Sequence, residues 1–282
     1  APASASWGPV QVVAITGGTD GTGKTSISVN LAQALAKEGK PTLLLDADLG
    51  MANVDVLLEL VATHTLSDVL NGICQLEDIM LNVSDNLQVI AAASGVRQLA
   101  NMQQPECAGM VRALSDLKQP VDFLLVDTAT GISECVASFC RAASEIMVVV
   151  CNDPASIRDS VAQIRLFSSE YRVNRFRVLA NRVESAYEAQ ALFQTCISQL
   201  TDTHTPQVSF AGYIPNDESL RKATSEHRIV VDAYPRCRSA MAFNNLARRV
   251  AEWPRPNCAG GHIEFFVERL ISHENMETEV VS

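Results

Sequence analysis

Short continuous runs of apolar residues alternate along the chain with longer segments whose apolar positions recur every three to four residues. Seven runs read as strands: residues 12–16, 42–46, 87–91, 123–127, 146–151, 176–180 and 209–214. They are continuously apolar rather than alternating, which predicts strands buried on both faces of a parallel sheet. Between them, residues 26–37 place Ile27, Leu31, Ala34 and Leu35 on one helical stripe that Gly39 ends. Thr65 starts a short helix with Asp68 completing a capping-box-like pair, and residues 106–117, 132–143, 156–169, 188–200 and 239–253 read as further helices. The alternation predicts an α/β fold, a mostly parallel central sheet flanked by helices, in one domain over residues 10–253. No internal repeat or dividing linker interrupts it.

The ends read differently. Residues 1–9 form a short lead-in, expected to be disordered, without the basic and apolar regions of a secretory signal. Residues 254–261, rich in Pro and Gly, look like a hinge into an amphipathic helix over 262–273, with Ile263, Phe266, Val267, Leu270 and Ile271 along one face. That helix docks on protein or lies on a membrane surface. Glu264 and Glu268 beside Arg269 favour docking, because surface-seeking helices are rich in Lys and Arg. Residues 274–282 read as an acidic, frayed tail.

Composition narrows the function classes. The chain of 282 residues is 47% hydrophobic, enough for a large core, and its net charge is −10. That charge speaks against coating DNA through phosphate neutralisation. The best basic group, Arg236, Arg238, Arg248 and Arg249, reads as a solvated helix face. No apolar run is long enough to cross a bilayer, and a cytoplasmic protein is expected, with peripheral contact at the inner membrane or cell pole as the alternative. The eight cysteines contain no C-x-x-C pair and read as buried free thiols. A cluster bridging a dimer through Cys107 and Cys135 or Cys140 lacks ligand spacing.

Candidate chemistry begins immediately after the first strand. Gly18-Thr19-Asp20-Gly21-Thr22-Gly23-Lys24-Thr25 fits G-x-x-x-x-G-K-[ST], with Ser26 following. Glycines let backbone N–H groups turn toward an anion, and the following helix adds its positive dipole end. Lys24 can reach the β- and γ-phosphates of a nucleotide, and the Thr25 hydroxyl can ligate Mg²⁺. Two further strands end in carboxylates: residues 123–126 in Asp127, as in a Walker B segment, and residues 43–45 in Asp46 and Asp48. An Asp after a strand is often only a loop cap. Three of them at two strand ends, beside a phosphate loop, point to function, because open α/β sheets bind ligands at the strands' carboxyl edge.

These motifs, with Leu49-Gly50-Met51-Ala52-Asn53-Val54-Asp55 and Gly212-Tyr213-Ile214-Pro215-Asn216-Asp217, resemble the MinD/ParA group of P-loop ATPases. Arg175-Phe176-Arg177-Val178-Leu179-Ala180-Asn181 and residues 261–270 are similar to segments of its flagellar-number branch, FleN/FlhG. The resemblance spans about residues 10–273. It implies a SIMIBI-type P-loop NTPase architecture and an ATP-dependent face-to-face homodimer that binds ATP and Mg²⁺. It also implies that Lys24 and the loop from Gly18 to Ser26 hold phosphates, while Thr25, Asp127 and Asp48 form the metal shell. Asp48 would position the attacking water with Asp46 in support. Asn181 would read adenine, Pro215 and Asp217 would line the base side, and Asn53 would contact the nucleotide across the dimer.

One departure stands out. The group carries a second lysine early in the loop, as in K-G-G-x-G-K-T, which touches phosphate in the partner subunit. Here the matching positions are Thr19 and Asp20. A carboxylate near a triphosphate is an unfavourable like-charge contact unless it points away. The expectation is therefore ATP binding with slow or partner-stimulated hydrolysis, in a switch that engages a flagellar transcription regulator or assembly protein. The alternatives are a hydrolysis-impaired ATP-binding regulatory module and a ParA-like partitioning ATPase. The net charge disfavours the last.

Overall fold

The structure is a computed structural model that describes residues 8–48, 54–91, 104–200, 206–256 and 264–269. Its centre is an eight-stranded sheet. The strands are β1 (Gln11–Thr16), β2 (Thr42–Ala47), β3 (Met80–Ser84), β4 (Leu87–Ile90), β5 (Phe123–Thr128), β6 (Glu145–Cys151), β7 (Arg175–Val183) and β8 (Gln207–Pro215). Their order is β3-β4-β2-β5-β1-β6-β7-β8. Every pairing is parallel except the antiparallel β3–β4 edge. The expected mostly parallel sheet is what the chain forms.

Crossover helices cover both faces. α1 (Lys24–Lys37), α8 (Glu218–Ser225), α9 (Val230–Ala233) and α10 (Arg238–Ala251) lie on one side, where Ile27, Leu31, Leu35, Phe243 and Val250 pack with Val13 and Ile15. α4 (Gln104–Ser115), α5 (Glu134–Ala142), α6 (Pro154–Tyr171) and α7 (Ala186–Gln199) cover the other, packing on residues such as Val12 and Ala14. Successive β1 residues thus feed opposite cores, the period-two geometry of a strand buried twice. Two short helices, α2 (Val54–Leu58) and α3 (Leu66–Leu70), lie between β2 and β3. Thr65 caps α3 and forms the full capping box with Asp68. Gly39, at φ +74, ends α1.

Strand order reverses direction about β1. From β1 the chain steps out to β2, returns to β5 beside β1, then crosses to β6 on the other flank. The loop leaving β1 therefore opens at the sheet's topological switch point, where such sheets bind ligands.

β3, α2, α8 and α9 were not expected from the apolar pattern. β3 is an edge strand whose residues are only half-buried or exposed, and the three helices are five, eight and four residues long, shorter than the window over which a helical period is read.

Two expectations change. Cys107 and Cys135 are bonded to each other rather than free, because α4 and α5 pack side by side with these Cα atoms 6.0 Å apart, within the range a bridge spans. Cys107 is fully buried in this pair, so a cluster joining two subunits through it does not form. Cys74, Cys140, Cys151, Cys196 and Cys237 are free thiols, and Cys258 lies outside the described residues.

The second change concerns the segment expected as a single helix over 262–273. Only residues 264–269 of it are described, and they are helical from Val267 onward, with Phe266 at a left-handed φ of +56°. Its buried residues are Phe265, Phe266 and Arg269. Phe265 stacks on Phe139 with ring centroids 6.3 Å apart. The Phe266 amide donates to Ser115 Oγ at 2.7 Å, and Arg269 Nη2 donates to the carbonyls of Leu117 and Gln119. These residues are part of the α4–α5 core.

Removing the Phe266 ring leaves a cavity under this segment. Phe266→Ala is expected to lower stability by about 3–5 kcal/mol in urea unfolding of the nucleotide-free chain. An effect near zero would mean that the ring does not pack in the core.

Candidate functional site

The loop after β1 is held from below and from both sides. Gly18 passes so close to α6 that a Cβ there would lie 2.3 Å from the Asp159 carbonyl carbon. Gln163, on the same helix, donates to Thr16 Oγ1 at 3.0 Å and to the Gly131 carbonyl at 2.7 Å. The Gly131 amide in turn donates to the Gly17 carbonyl. Gly23 ends the loop at φ +92°, and a Cβ there would meet Asn181 Nδ2 at 2.7 Å. Glycine is required at position 18 for space and at position 23 for its left-handed conformation.

α1 begins at Lys24 with Gly23 as its N-cap, no side-chain cap hydrogen bond and no acidic residue in its first turn. The flanking helices differ. Ser133, Asp153, Ser185 and Asp217 each accept a first-turn amide of α5, α6, α7 and α8. The start of α1 thus presents bare donors and a positive dipole end, an arrangement that suits an anion. Ser26 Oγ is buried there without a partner among the described residues. The Lys24 ammonium is buried and donates to Thr130 Oγ1 in the loop after β5.

The carboxylates lie beside this helix start. β2 and β5 pair in register with Asp46 opposite Asp127, and Asp127 also pairs with Ile15 of β1. Asp127 Oδ1 accepts from Ser28 Oγ at 2.8 Å, while its Oδ2 is buried with no hydrogen-bond partner among the described residues. Burial pushes its carboxyl up to about 6; the Thr25 and Ser28 hydroxyls and Lys24 oppose the rise, and Asp48 adds to it. Asp48 therefore lies within electrostatic reach of Asp127. Asp46 is fully buried, its Oδ1 accepting from the Asp48 amide and its Oδ2 from the Val54 amide, both at 3.1 Å.

The orphaned Oδ2 of Asp127 and the neighbouring Thr25 hydroxyl are hard oxygen ligands. They fit Mg²⁺, which takes one or two protein oxygens and completes its shell with phosphate and water. Among the described residues no group of three or more His, Cys, Asp or Glu could hold a metal ion.

A cavity of about 320 Å³ opens next to Gly23 and Ser26, lined also by Asn181, Pro215 and Asp217. The fold thus gathers the expected base-side residues from β7 and β8 around the loop. Asn181 Nδ2 donates to the Thr22 carbonyl at 2.6 Å, and its Oδ1 accepts from the Arg182 amide at 2.9 Å. One N–H and one lone pair of the Asn181 amide stay available, the donor and acceptor that an adenine edge takes. Asp217 caps α8 through the Ser219 amide and also accepts from the amide and hydroxyl of Ser239. Partial burial works to raise its carboxyl, but these hydrogen bonds outweigh it and hold it below the usual range.

Thr19 and Asp20 stand at the loop's outer turn, where Asp20 and Gly21 are exposed and the Thr19 carbonyl accepts weakly from Thr22 Oγ1 at 3.4 Å. Asn53 lies outside the described residues. Sequence reasoning missed Ser28, Thr130 and Gln163 as partners of the site. Ser28 was within reach of inference, since it lies one turn beyond Lys24 on the same helix face.

A buried lysine, uncapped helix amides and strand-end carboxylates at a sheet switch point define a P-loop nucleotide-binding protein. Residues 13–230 match the CobQ/CobB/MinD/ParA nucleotide binding domain, and the chain belongs to that family. It is 46% identical over 266 residues to the antiactivator FleN of Pseudomonas aeruginosa, covering 94% of this chain and 95% of the relative. It is 28% identical to the septum site-determining protein MinD of Bacillus subtilis, over 85% of this chain and 88% of that one. Its fold is that of MinD from Pyrococcus horikoshii complexed with Mg-ADP, at a TM-score of 0.72 and 24% identity, covering 86% of this chain and 96% of that one.

The contact at Gly18 generates a prediction. Gly18→Ala is expected to push α6 away from the loop and cost about 1–3 kcal/mol in the absence of any nucleotide. Unchanged thermal unfolding would show that the loop has room to spare.

Proposed function

We propose that this chain is a Mg²⁺-dependent ATPase whose ATP-bound form is a homodimer that limits flagellar number or placement by engaging a flagellar transcription regulator. The observation that carries this reading is the bare start of α1 with Lys24 inside it and the orphaned Asp127 oxygen beside it. The near full-length similarity to an antiactivator FleN supports the flagellar role.

In this reading the loop amides from Gly18 to Ser26 and the Lys24 ammonium bind the triphosphate. Thr25 and Asp127, with Asp48 nearby, would hold Mg²⁺; the ion, when bound, neutralises charge on the phosphate oxygens. Asp48 orients the attacking water, and Asp46 fixes Asp48 through its backbone amide. Asn181 reads adenine with the hydrogen-bond capacity it retains, against Pro215 and Asp217, and Asn53 contacts the nucleotide from the other subunit. The protein works in the cytoplasm. Phe265 and Phe266 are occupied in the core, which supports packing of the C-terminal segment over membrane contact.

Thr19 and Asp20 remove the cation that relatives insert across the dimer, so turnover is slow without a partner protein. Cations supplied in trans account for orders of magnitude in phosphoryl transfer. The same substitution supports a second reading, in which ATP is bound and the dimer forms but hydrolysis is lost.

Sedimentation of the apo, ADP and non-hydrolysable-ATP forms tests the switch: a monomer-to-dimer shift with the ATP analogue alone is expected, and an unchanged profile contradicts it. Lys24→Ala is expected to abolish nucleotide binding by calorimetry. Thr19→Lys combined with Asp20→Gly is expected to raise basal turnover by about tenfold or more. If turnover stays flat, the missing lysine is not what limits the rate.

A further inference from the structure

β8 is the last strand of the sheet and, among the described residues, pairs only with β7, which leaves one of its edges with no strand beside it. A second cavity, of about 330 Å³, runs between this strand and α10. Arg238, Met241, Asn245 and Arg249 of α10 line one wall, at the i, i+3, i+7, i+11 spacing of a single helical face. Residues 211–213 of β8 line the other. Eleven helical residues separate the two arginines by about 16 Å, so they bracket the groove. Met241, between them, is 50% exposed.

Both guanidiniums are exposed and make only carbonyl contacts. Arg238 Nη2 donates to the Glu184 carbonyl at 3.0 Å and Arg249 Nη1 to the Ala211 carbonyl at 3.3 Å. Neither forms an ion pair among the described residues, although the chain carries a net charge of −10. Nearby Arg248, by contrast, pairs with Glu38. β8 itself contains no charged residue. Edge strands that merely avoid pairing carry charges of their own. Here the charges stand on the neighbouring helix and face across an apolar centre.

We propose that this groove docks an extended acidic segment of a partner protein alongside β8. Alternate residues of a strand share a face, so carboxylates four positions apart sit about 13 Å from one another with an apolar residue midway. That spacing lets the two carboxylates meet Arg238 and Arg249 through their long side chains while the middle residue covers Met241. Duplex DNA suits the site less well, because the floor between the two arginines is apolar and offers a phosphate backbone no partner. The inference is independent of ATP hydrolysis. Pro215 nevertheless lines both this groove and the base-side cavity, and Asp217 ties the first turn of α10 to that cavity through Ser239.

The test uses the full nucleotide-free chain, so it does not depend on the ATPase reading. A labelled peptide with glutamates at two positions four apart and leucine between them is titrated by fluorescence anisotropy. The same peptide with lysines for glutamates, and a duplex oligonucleotide, are titrated alongside. Binding of the glutamate peptide alone is expected, with slowed hydrogen exchange at β8 amides. Arg238→Glu with Arg249→Glu should weaken it by at least about tenfold, and Met241→Ala should weaken it several-fold. Glutamate suits the first turn of α10 at position 238 but opposes the helix dipole at position 249 in its last turn, so Arg238→Glu with Arg249→Gln is titrated beside the double variant, and the unfolding midpoint of each checks its fold. No binding of the glutamate peptide, equal binding of the lysine peptide, tighter binding of DNA, or full affinity in the folded double variant would each overturn the proposal.

Discussion

The structure is organised around donors that the chain itself does not satisfy. The first-turn amides of α1, under the carboxyl edge of the sheet, have no capping side chain, and the turn itself carries no acidic residue. Helix-end donors without partners are unfavourable, and the flanking helices avoid that cost with Ser or Asp caps. At α1 the cost is kept, and the surroundings hold it in place. Gly18 is wedged against α6, Gln163 ties β1 to the loop after β5, and Asn181 holds the Thr22 carbonyl. An anion at this helix end relieves an unfavourable arrangement that the rest of the sheet keeps rigid.

Much of this was legible before the coordinates. Buried parallel strands are written as unbroken apolar runs, and seven of the eight were visible for that reason. β3 was not, because a half-exposed edge strand needs no such run. The phosphate loop and the strand-end carboxylates were legible because backbone approach, charge and sheet topology leave few residue types available. What escaped is contact over long sequence separation. Ser28 meets Asp127, Lys24 meets Thr130, and Cys107 meets Cys135 only after helices pack. No local pattern encodes these pairs. The C-terminal segment escaped in a different way: an amphipathic stripe records that one face is buried, whereas the left-handed turn at Phe266 is set by the α4–α5 surface it caps.

The base side shows economy of a different kind. Asn181 and Asp217 both have scaffold bonds in the absence of nucleotide, the first to the phosphate loop and the second to the start of α10. Residues assigned to ligand contact therefore also brace the site. The departure at Thr19 and Asp20 falls on the exposed outer turn, away from these braces. The two can vary without disturbing the cradle, which explains how the loop keeps its shape with an altered charge.

Asp46 has a mechanical consequence. One carboxylate grips the chain as it leaves β2 and again where α2 begins, so both feet of the intervening excursion stand on the same side chain. The Asp48 and Val54 amides are consequently coupled, because both are held by one buried carboxylate. Two residues beyond Val54 the chain is at the surface, where Val56 lies bare to solvent, so the buried tie to Asp46 and the open side of α2 are only a few residues apart.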